Sequence, residues 1–295
     1  MKHLGIVLLF LSGNVLGQID NSNGIYTDSY QVHGGYRWLD ADLGNVPSTS
    51  YHNVGARASK NIMDIGLLNI YADYTGGDNH YGGSEYPRLG AAFVLPLSKF
   101  LSTSFGLGGS EFTQGSYKQE WYSLGGDVFL HDMDYGKIGV ELSYADRRTE
   151  QQNNWVYALE SSYYSLYGSY YFDDFTVNAE TTLAEQKYSY GHTDSNATWY
   201  VSANLYPLDD TKLTIQGNII DSNKRFLAAI EQQVFNNFVL GIAFQTRDSS
   251  SYWLDGQNYA HFNENTYLFK MIYHFGNKSS MKSRDRNLQQ TGVYQ

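Results

Sequence analysis

The chain has 295 residues, 30 acids against 20 lysines and arginines, a formal net charge of −10, and no cysteine. The acidic balance argues against a nucleic-acid binder, which needs a basic face, and the missing cysteines remove a disulfide framework. Mean hydropathy is −0.44, yet 27 tyrosines and 29 glycines stand against only 4 prolines, a composition suited to strands with wet aromatic ends.

The first seventeen residues read as a separate unit. Lys2 and His3 start it, Leu4 to Leu11 is a nearly unbroken apolar run, and Val15-Leu16-Gly17 places compact residues where a signal peptidase cuts. The run is far shorter than the roughly 20 residues of a spanning helix, so a secretory signal removed near Gly17 is expected. Beyond it no apolar stretch is long enough for a membrane helix.

From Tyr30 onward one theme repeats: an alternating run, a turn, another run, a polar loop. Tyr30, Val32, Gly34, Tyr36 and Trp38 face one way, because successive side chains of a strand point to opposite faces. A weaker strand over Thr49 to Ala58 leads through a turn at Ser59-Lys60-Asn61 into Ile62–Tyr74, where Asp64, Asn69 and Asp73 do not share one face. The glycine-rich stretch from Thr75 to Pro87 reads as a loop.

Arg88–Leu97 and Leu101–Phe112 follow, joined at Ser98-Lys99, and Gln114–Gln119 is a short loop. Trp121–Leu130 and Lys137–Tyr144 flank a turn at His131–Asp134. Asp146 to Asn154 is a charged loop, and the run ending at Phe172 turns at Asp173-Asp174 into Phe175–Leu183. Gln186–Ala197 is a polar loop. Trp199–Leu205 and Leu213–Ile219 flank Pro207–Asp210, Phe226–Ile230 and Phe238–Phe244 flank Asn236-Asn237, and Asp248–Glu264 is the last loop.

The final strand is the clearest. Tyr267, Phe269, Met271, Tyr273 and Phe275 occupy every second position, with Thr266, Leu268, Lys270, Ile272 and His274 between them. One face suits lipid and the other tolerates water, and about 9–11 such residues cross a bilayer.

The count is about 14 strands, with 12 or 16 also compatible, and short turns alternate with longer loops as in bacterial barrels. The expected fold is all-β, a transmembrane antiparallel up-and-down β-barrel over residues 18–275. Residues 276–295 form a polar tail bearing Lys278, Lys282, Arg284 and Arg286, expected to be a disordered periplasmic end or a contact for a periplasmic partner.

The signal segment, the wall pattern and the terminal strand together resemble the Gram-negative outer-membrane porin and channel superfamily. Tyr206-Pro207-Leu208-Asp209-Asp210 and Phe235-Asn236-Asn237-Phe238 look like that group's periplasmic turns, and the size resembles the monomeric 14-stranded porins. The resemblance implies a setting of outer-membrane lipid and lipopolysaccharide, and recognition of Phe275 by the barrel-assembly machinery. It also implies passage of small hydrophilic solutes without a cofactor.

If the greasy positions face lipid, the alternate ones line the interior. The bases there are Arg37, Arg57, Arg88, Lys137, Arg147, Lys212, Arg225, Arg247 and Lys270, against Asp127, Glu141, Glu180 and Glu231, while Glu264 joins the acids expected to ring the outer mouth. Rings of Arg and Lys bias a pore towards anions. Arg37, Arg88, Lys137, Arg225, Arg247 and Lys270 are therefore the expected pore-lining set, and cross-strand pairing with the acids is the alternative use of the same charges.

Inward aromatics (Trp121, Phe129, Tyr163, Tyr167, Tyr171 and Tyr200) could stack on sugars, as in the oligogalacturonate porins that the chain resembles in class, or fill space. The small inward residues Gly35, Gly55, Gly90, Ser102, Ser104, Gly106, Gly108, Gly139 and Gly241 leave room for water. Some outer-membrane barrels are hydrolases: outer-membrane phospholipase A uses a His-x-Ser pair. The comparable stretch here, His192-Thr193-Asp194-Ser195-Asn196, has a different spacing and lies in a loop, so no enzyme is expected. His131-Asp132-Met133-Asp134 is a poor metal set on a turn. A structural or export-accessory barrel is the alternative to a channel.

Overall fold

A computed structural model of the protein describes residues 28–41, 49–62, 65–79, 82–132, 134–151, 155–220, 223–235, 237–249, 252–254, 257–259, 262–275 and 280–286. The expected signal segment and its cleavage point lie outside these residues, as does Asp64.

Fourteen antiparallel strands close into one barrel. In chain order they are β1 (Ser29–Ala41), β2 (Thr49–Ile62), β3 (Gly66–Asn79), β4 (Gly82–Pro96), β5 (Leu101–Gln114), β6 (Tyr117–Asp132) and β7 (Gly136–Gln151). β8 (Trp155–Tyr171), β9 (Phe175–Tyr188), β10 (Thr193–Leu208), β11 (Thr211–Ile220), β12 (Asn223–Phe235) and β13 (Phe238–Ser249) follow. A separate small hairpin, β14 (Tyr252–Leu254) and β15 (Gln257–Tyr259), interrupts the chain before β16 (Phe262–Phe275). β16 pairs with both β13 and β1, and Tyr30 lies opposite Phe275 at the seam. Closure leaves no sheet edge with unmet hydrogen bonds, the condition for a sheet to stand in lipid.

The two faces of the wall separate as the alternation requires. Leu89, Leu107, Leu124 and Leu142, on four neighbouring strands, are each 61–65% exposed, whereas Leu67, Val94 and Phe129 on the inner face are at most 1% exposed. A soluble β-sandwich would bury the first set. Here it forms an outward apolar belt, continued by Ile138, Val140, Leu166, Val201, Ile215 and Ile242.

The strands run ten to seventeen residues, longer than the roughly ten that a bilayer needs. This revises several expected loops. The glycine-rich stretch read as a loop from Thr75 to Pro87 is strand on both sides, paired from Leu67↔Val94 to Asn79↔Gly82. The charged loop at Asp146–Asn154 is largely strand in the same way, with Glu150 opposite Val156. Gln186 and Ser195 also lie in strands β9 and β10. In each case charge and glycine mark the height at which the outward apolar belt ends, while the backbone ladder continues above it. The turn expected at Ser59-Lys60-Asn61 is strand too, and β2 continues to Ile62.

The short turns, at the end expected to face the periplasm (the periplasmic end), are held locally. Asp132 Oδ1 accepts hydrogen bonds from the Asp134 and Tyr135 amides at 2.8 and 3.2 Å. Gly136 then takes φ 137 with its Cα against the Ser169 carbonyl, where a Cβ would collide, so glycine is required there. A further element departs from expectation. Instead of being disordered throughout, the polar tail carries a helix, α1 (Met281–Arg286), lodged in the periplasmic mouth of the barrel.

Candidate functional site: the charged lumen

The inner face divides by height. All six expected pore-lining bases sit on inward positions, each next to an outward apolar or aromatic neighbour: Arg37 beside Trp38, Arg88 beside Leu89, Lys137 beside Ile138, Arg225 beside Phe226, and Lys270 beside Phe269. Arg247 follows the same alternation from Ile242 and Phe244. They do not form a single ring.

The outer level lies on β12, β13, β16 and β1, four successive staves of the barrel. Arg225 stands directly opposite Arg247, and Arg247 directly opposite Glu264. Glu264 accepts from Arg37 Nη2 at 3.4 Å and from Thr266 Oγ1 at 3.3 Å. Glu264 was expected at the outer mouth among the loop acids; it is 7% exposed and turned inward. Glu264 thus bonds Arg37 and faces Arg247 in register, while Arg225 stands one stave further on, opposite Arg247. Like charges directly opposite on neighbouring strands repel, so this level carries a surplus of positive potential. Across the lumen, Arg147 lies over the Trp121 ring at 5.8 Å.

The middle level holds a cavity of about 360 Å³ lined by Tyr71, Tyr86, Arg88, Trp121, Tyr163, Glu141 and Glu180, with Ser110, Ser123, Ser143, Ser165 and Thr182 among the polar remainder. Arg88 is turned towards Asp73, which it approaches at 3.7 Å and faces in register, and it lies 5.5 Å from the Tyr86 ring. His33 Nε2 meets the other oxygen of Asp73 at 2.8 Å. Asn69 and Asp73 share the inner face of β3, and Asp64, the member expected to break the alternation, lies outside the described residues.

Several small inward residues seat a neighbour instead of opening space for water. A Cβ on Gly90 would strike the Tyr71 ring, and one on Gly139 would come within 2.6 Å of both Phe129 and the Tyr167 hydroxyl. Gly55 accommodates His33 and Asp73 in the same way. Ser104 donates to Asp127, and Ser102 pairs with His131 at 2.9 Å. His131, expected on a turn, is in β6, buried, with its ring tilted against Phe129 at 5.6 Å.

At the periplasmic level charges meet charges. Lys212 reaches Glu231 at 3.0 Å, and Lys270 bonds the other Glu231 oxygen. Tyr167 donates to Asp127 at 2.6 Å, and the Lys137 ammonium lies 4.8 Å from the Tyr167 ring and 5.5 Å from Phe129. Of the expected set, Lys270, Arg88 and Arg37 each meet an acid and Lys137 lies against rings. Arg225 and Arg247 join Arg37 around Glu264, so three bases stand near one inward acid at the outer level. Asp285, on α1, is a member of the periplasmic level that the sequence reading missed; only the fold brings it to Lys212, at 3.1 Å.

At the outer rim His192 Nε2 is 2.7 Å from Asp194 Oδ1, and both are exposed. The histidine is thus engaged by Asp194, while Ser195 lies in the β10 ladder opposite Glu185. That is not a nucleophile–base arrangement. Among the described residues no group of three or more His, Cys, Asp or Glu could hold a metal ion.

No family model matches the chain, and no curated protein sequence matches it. Solved structures do. The anion-selective porin from Comamonas acidovorans superposes with a TM-score of 0.52 at 10% identity, covering 84% of this chain and 99% of that one. CymD, a monoaromatic hydrocarbon channel, gives 0.53 at 9% identity over 90% and 94%. A loop-deletion mutant of OmpT, an outer-membrane protein of Vibrio cholerae, gives 0.50 at 12% over 84% and 99%. The shared property is the fold: this chain has the closed-barrel architecture of outer-membrane porins and channels.

Proposed function

We propose that this barrel is an outer-membrane channel through which small hydrophilic solutes diffuse passively, with a preference for anions. The observation that carries the reading is the outer arginine level, where Arg37, Arg225 and Arg247 stand on successive staves around one inward carboxylate, Glu264, which bonds Arg37. In a lumen of low dielectric such a surplus attracts anions and repels cations. The resemblance in fold to an anion-selective porin agrees with it. The belt of exposed leucines and the closed ladder support a membrane setting. The Tyr71, Tyr86, Trp121 and Tyr163 rings beside Arg88 could bind the faces of an acidic sugar; that finer assignment belongs to the same proposal.

The test is single-channel recording of the refolded protein in a planar bilayer under a salt gradient. Open currents with an anion-selective reversal potential are expected, followed by block when acidic oligosaccharides are added. A folded, heat-modifiable barrel that passes no current would refute the channel reading. A structural or export-accessory barrel, favoured by the filled periplasmic end, would then take its place.

A further inference from the structure

The geometry points to α1 as a stopper: we infer that this helix, docked inside the wall, restricts the mouth at the short-turn end, and that conduction rises when it leaves. This rests on the channel reading above.

The helix contacts six consecutive staves of the barrel, β8 through β13, and Ile272 of β16 packs on the same apolar cluster, so the docking spans seven of the fourteen. Met281 is 4% exposed and packs on Tyr206, Val239 and Ile272, all on inward positions, while its amide donates to the Asp209 carbonyl at 3.1 Å. Asp285 accepts from the Tyr206 hydroxyl at 2.9 Å and pairs with Lys212 at 3.1 Å. Arg284 donates to Gln233, and Lys282 to the Asp173 carbonyl. Arg286 donates to the Phe172 carbonyl and lies 4.9 Å from the Tyr171 ring.

Size makes this an obstruction. Fourteen strands spaced about 4.8 Å apart and tilted about 40° enclose a circle about 28 Å across between backbones. A helix with its side chains is about 10–12 Å wide. The opposite half of the mouth is already narrowed by Leu67, Val94 and Phe129, which are packed to 1% exposure or less.

The stopper is also separable. Six residues are too few to hold a helix alone, since isolated helices shorter than about 12–15 residues are marginal in water. It is therefore helical because it is docked, and its contacts apart from Met281 are polar or ionic and open to competition. The wall itself is closed by β1 on β16. Removing the tail leaves every barrel strand in place.

Because the chain has no cysteine, docking can be read independently of conduction. The double variant Val239→Cys with Met281→Cys should form a disulfide in the refolded barrel; a pair that stays reduced under oxidant overturns the inference. Conductance is then compared for the full chain, a chain ending at Phe275, and Asp285→Ala, each checked for folding by heat-modifiable migration. Truncation should raise single-channel conductance about twofold, because a helix takes up about half of the space between side chains. Asp285→Ala should give longer or more frequent large openings, and the oxidised Cys pair should stay at the full-chain level. Equal conductance with and without the tail overturns the stopper and leaves the channel reading standing. A disulfide that forms in a barrel silent even after truncation refutes the channel reading, and the stopper with it.

Discussion

The outer and periplasmic levels of the lumen use the same residue types in opposite ways. At the periplasmic level Glu231 lies between Lys212 and Lys270, and Asp285 adds a second acid to Lys212. Lys212, Lys270, Glu231 and Asp285 each have an opposite partner from another strand or from α1, so this cluster holds parts of the molecule together. At the outer level Arg225 faces Arg247 across one rung, and Glu264, the rung partner of Arg247, bonds Arg37. Those guanidiniums hold less of the protein and leave more of their field to the lumen. The difference teaches that counting inward bases does not identify a selectivity site; what matters is whether an acid stands on the next rung.

Breaking the periplasmic network should have the largest effect on stability. Glu231→Ala leaves Lys212 with Asp285 alone and the half-exposed Lys270 without its acid, and a loss of about 3 kcal/mol, the low end for removing one partner of a buried ion pair, is expected, read as a lower denaturant midpoint in lipid vesicles. Next comes Tyr167→Phe, which takes the 2.6 Å donor from a buried Asp127; about 1.5–3 kcal/mol is expected for a hydrogen bond to a charged group, with the barrel still folding. Gly139→Ala pushes a methyl against Phe129 and the Tyr167 hydroxyl, and overpacking of that kind costs about 1–3 kcal/mol. The same midpoint measurement ranks all three.

The smallest effect on stability should come from the outer level. Arg225→Gln relieves repulsion from Arg247, so the unfolding midpoint should move by no more than about 0.5 kcal/mol. Its reversal potential under a salt gradient should nevertheless shift towards the non-selective value, and Arg225→Glu should shift it further. If Arg225→Gln destabilises the barrel as much as Glu231→Ala does, the two levels are alike and the contrast fails.

Much of the wall was legible in the sequence, since a period of two is written into each strand. Tyr267, Phe269, Met271, Tyr273 and Phe275 face outward as that period requires, and the fourteen-strand count follows from turn spacing. Strand ends were less legible. Gly76, Gly77 and Glu85 look like loop residues because they lack a lipid face, yet backbone hydrogen bonding, which is indifferent to side chains, carries β3 and β4 through them. The small inward residues were misread for a related reason: the emptiness left by a missing side chain at Gly90 belongs to whatever lies on the adjacent strand, here Tyr71.

Local alternation, then, was enough to assign each inward base to the lumen, because facing is a property of one strand. Which bases have partners is a property of pairs of strands, set by registers such as Arg225↔Arg247 that no single segment contains. The position of α1 is further removed still. Met281 and Asp285 gain meaning only from Val239, Tyr206 and Lys212, residues brought together when the barrel closes, because a six-residue polar segment has no stable shape until a surface supplies one.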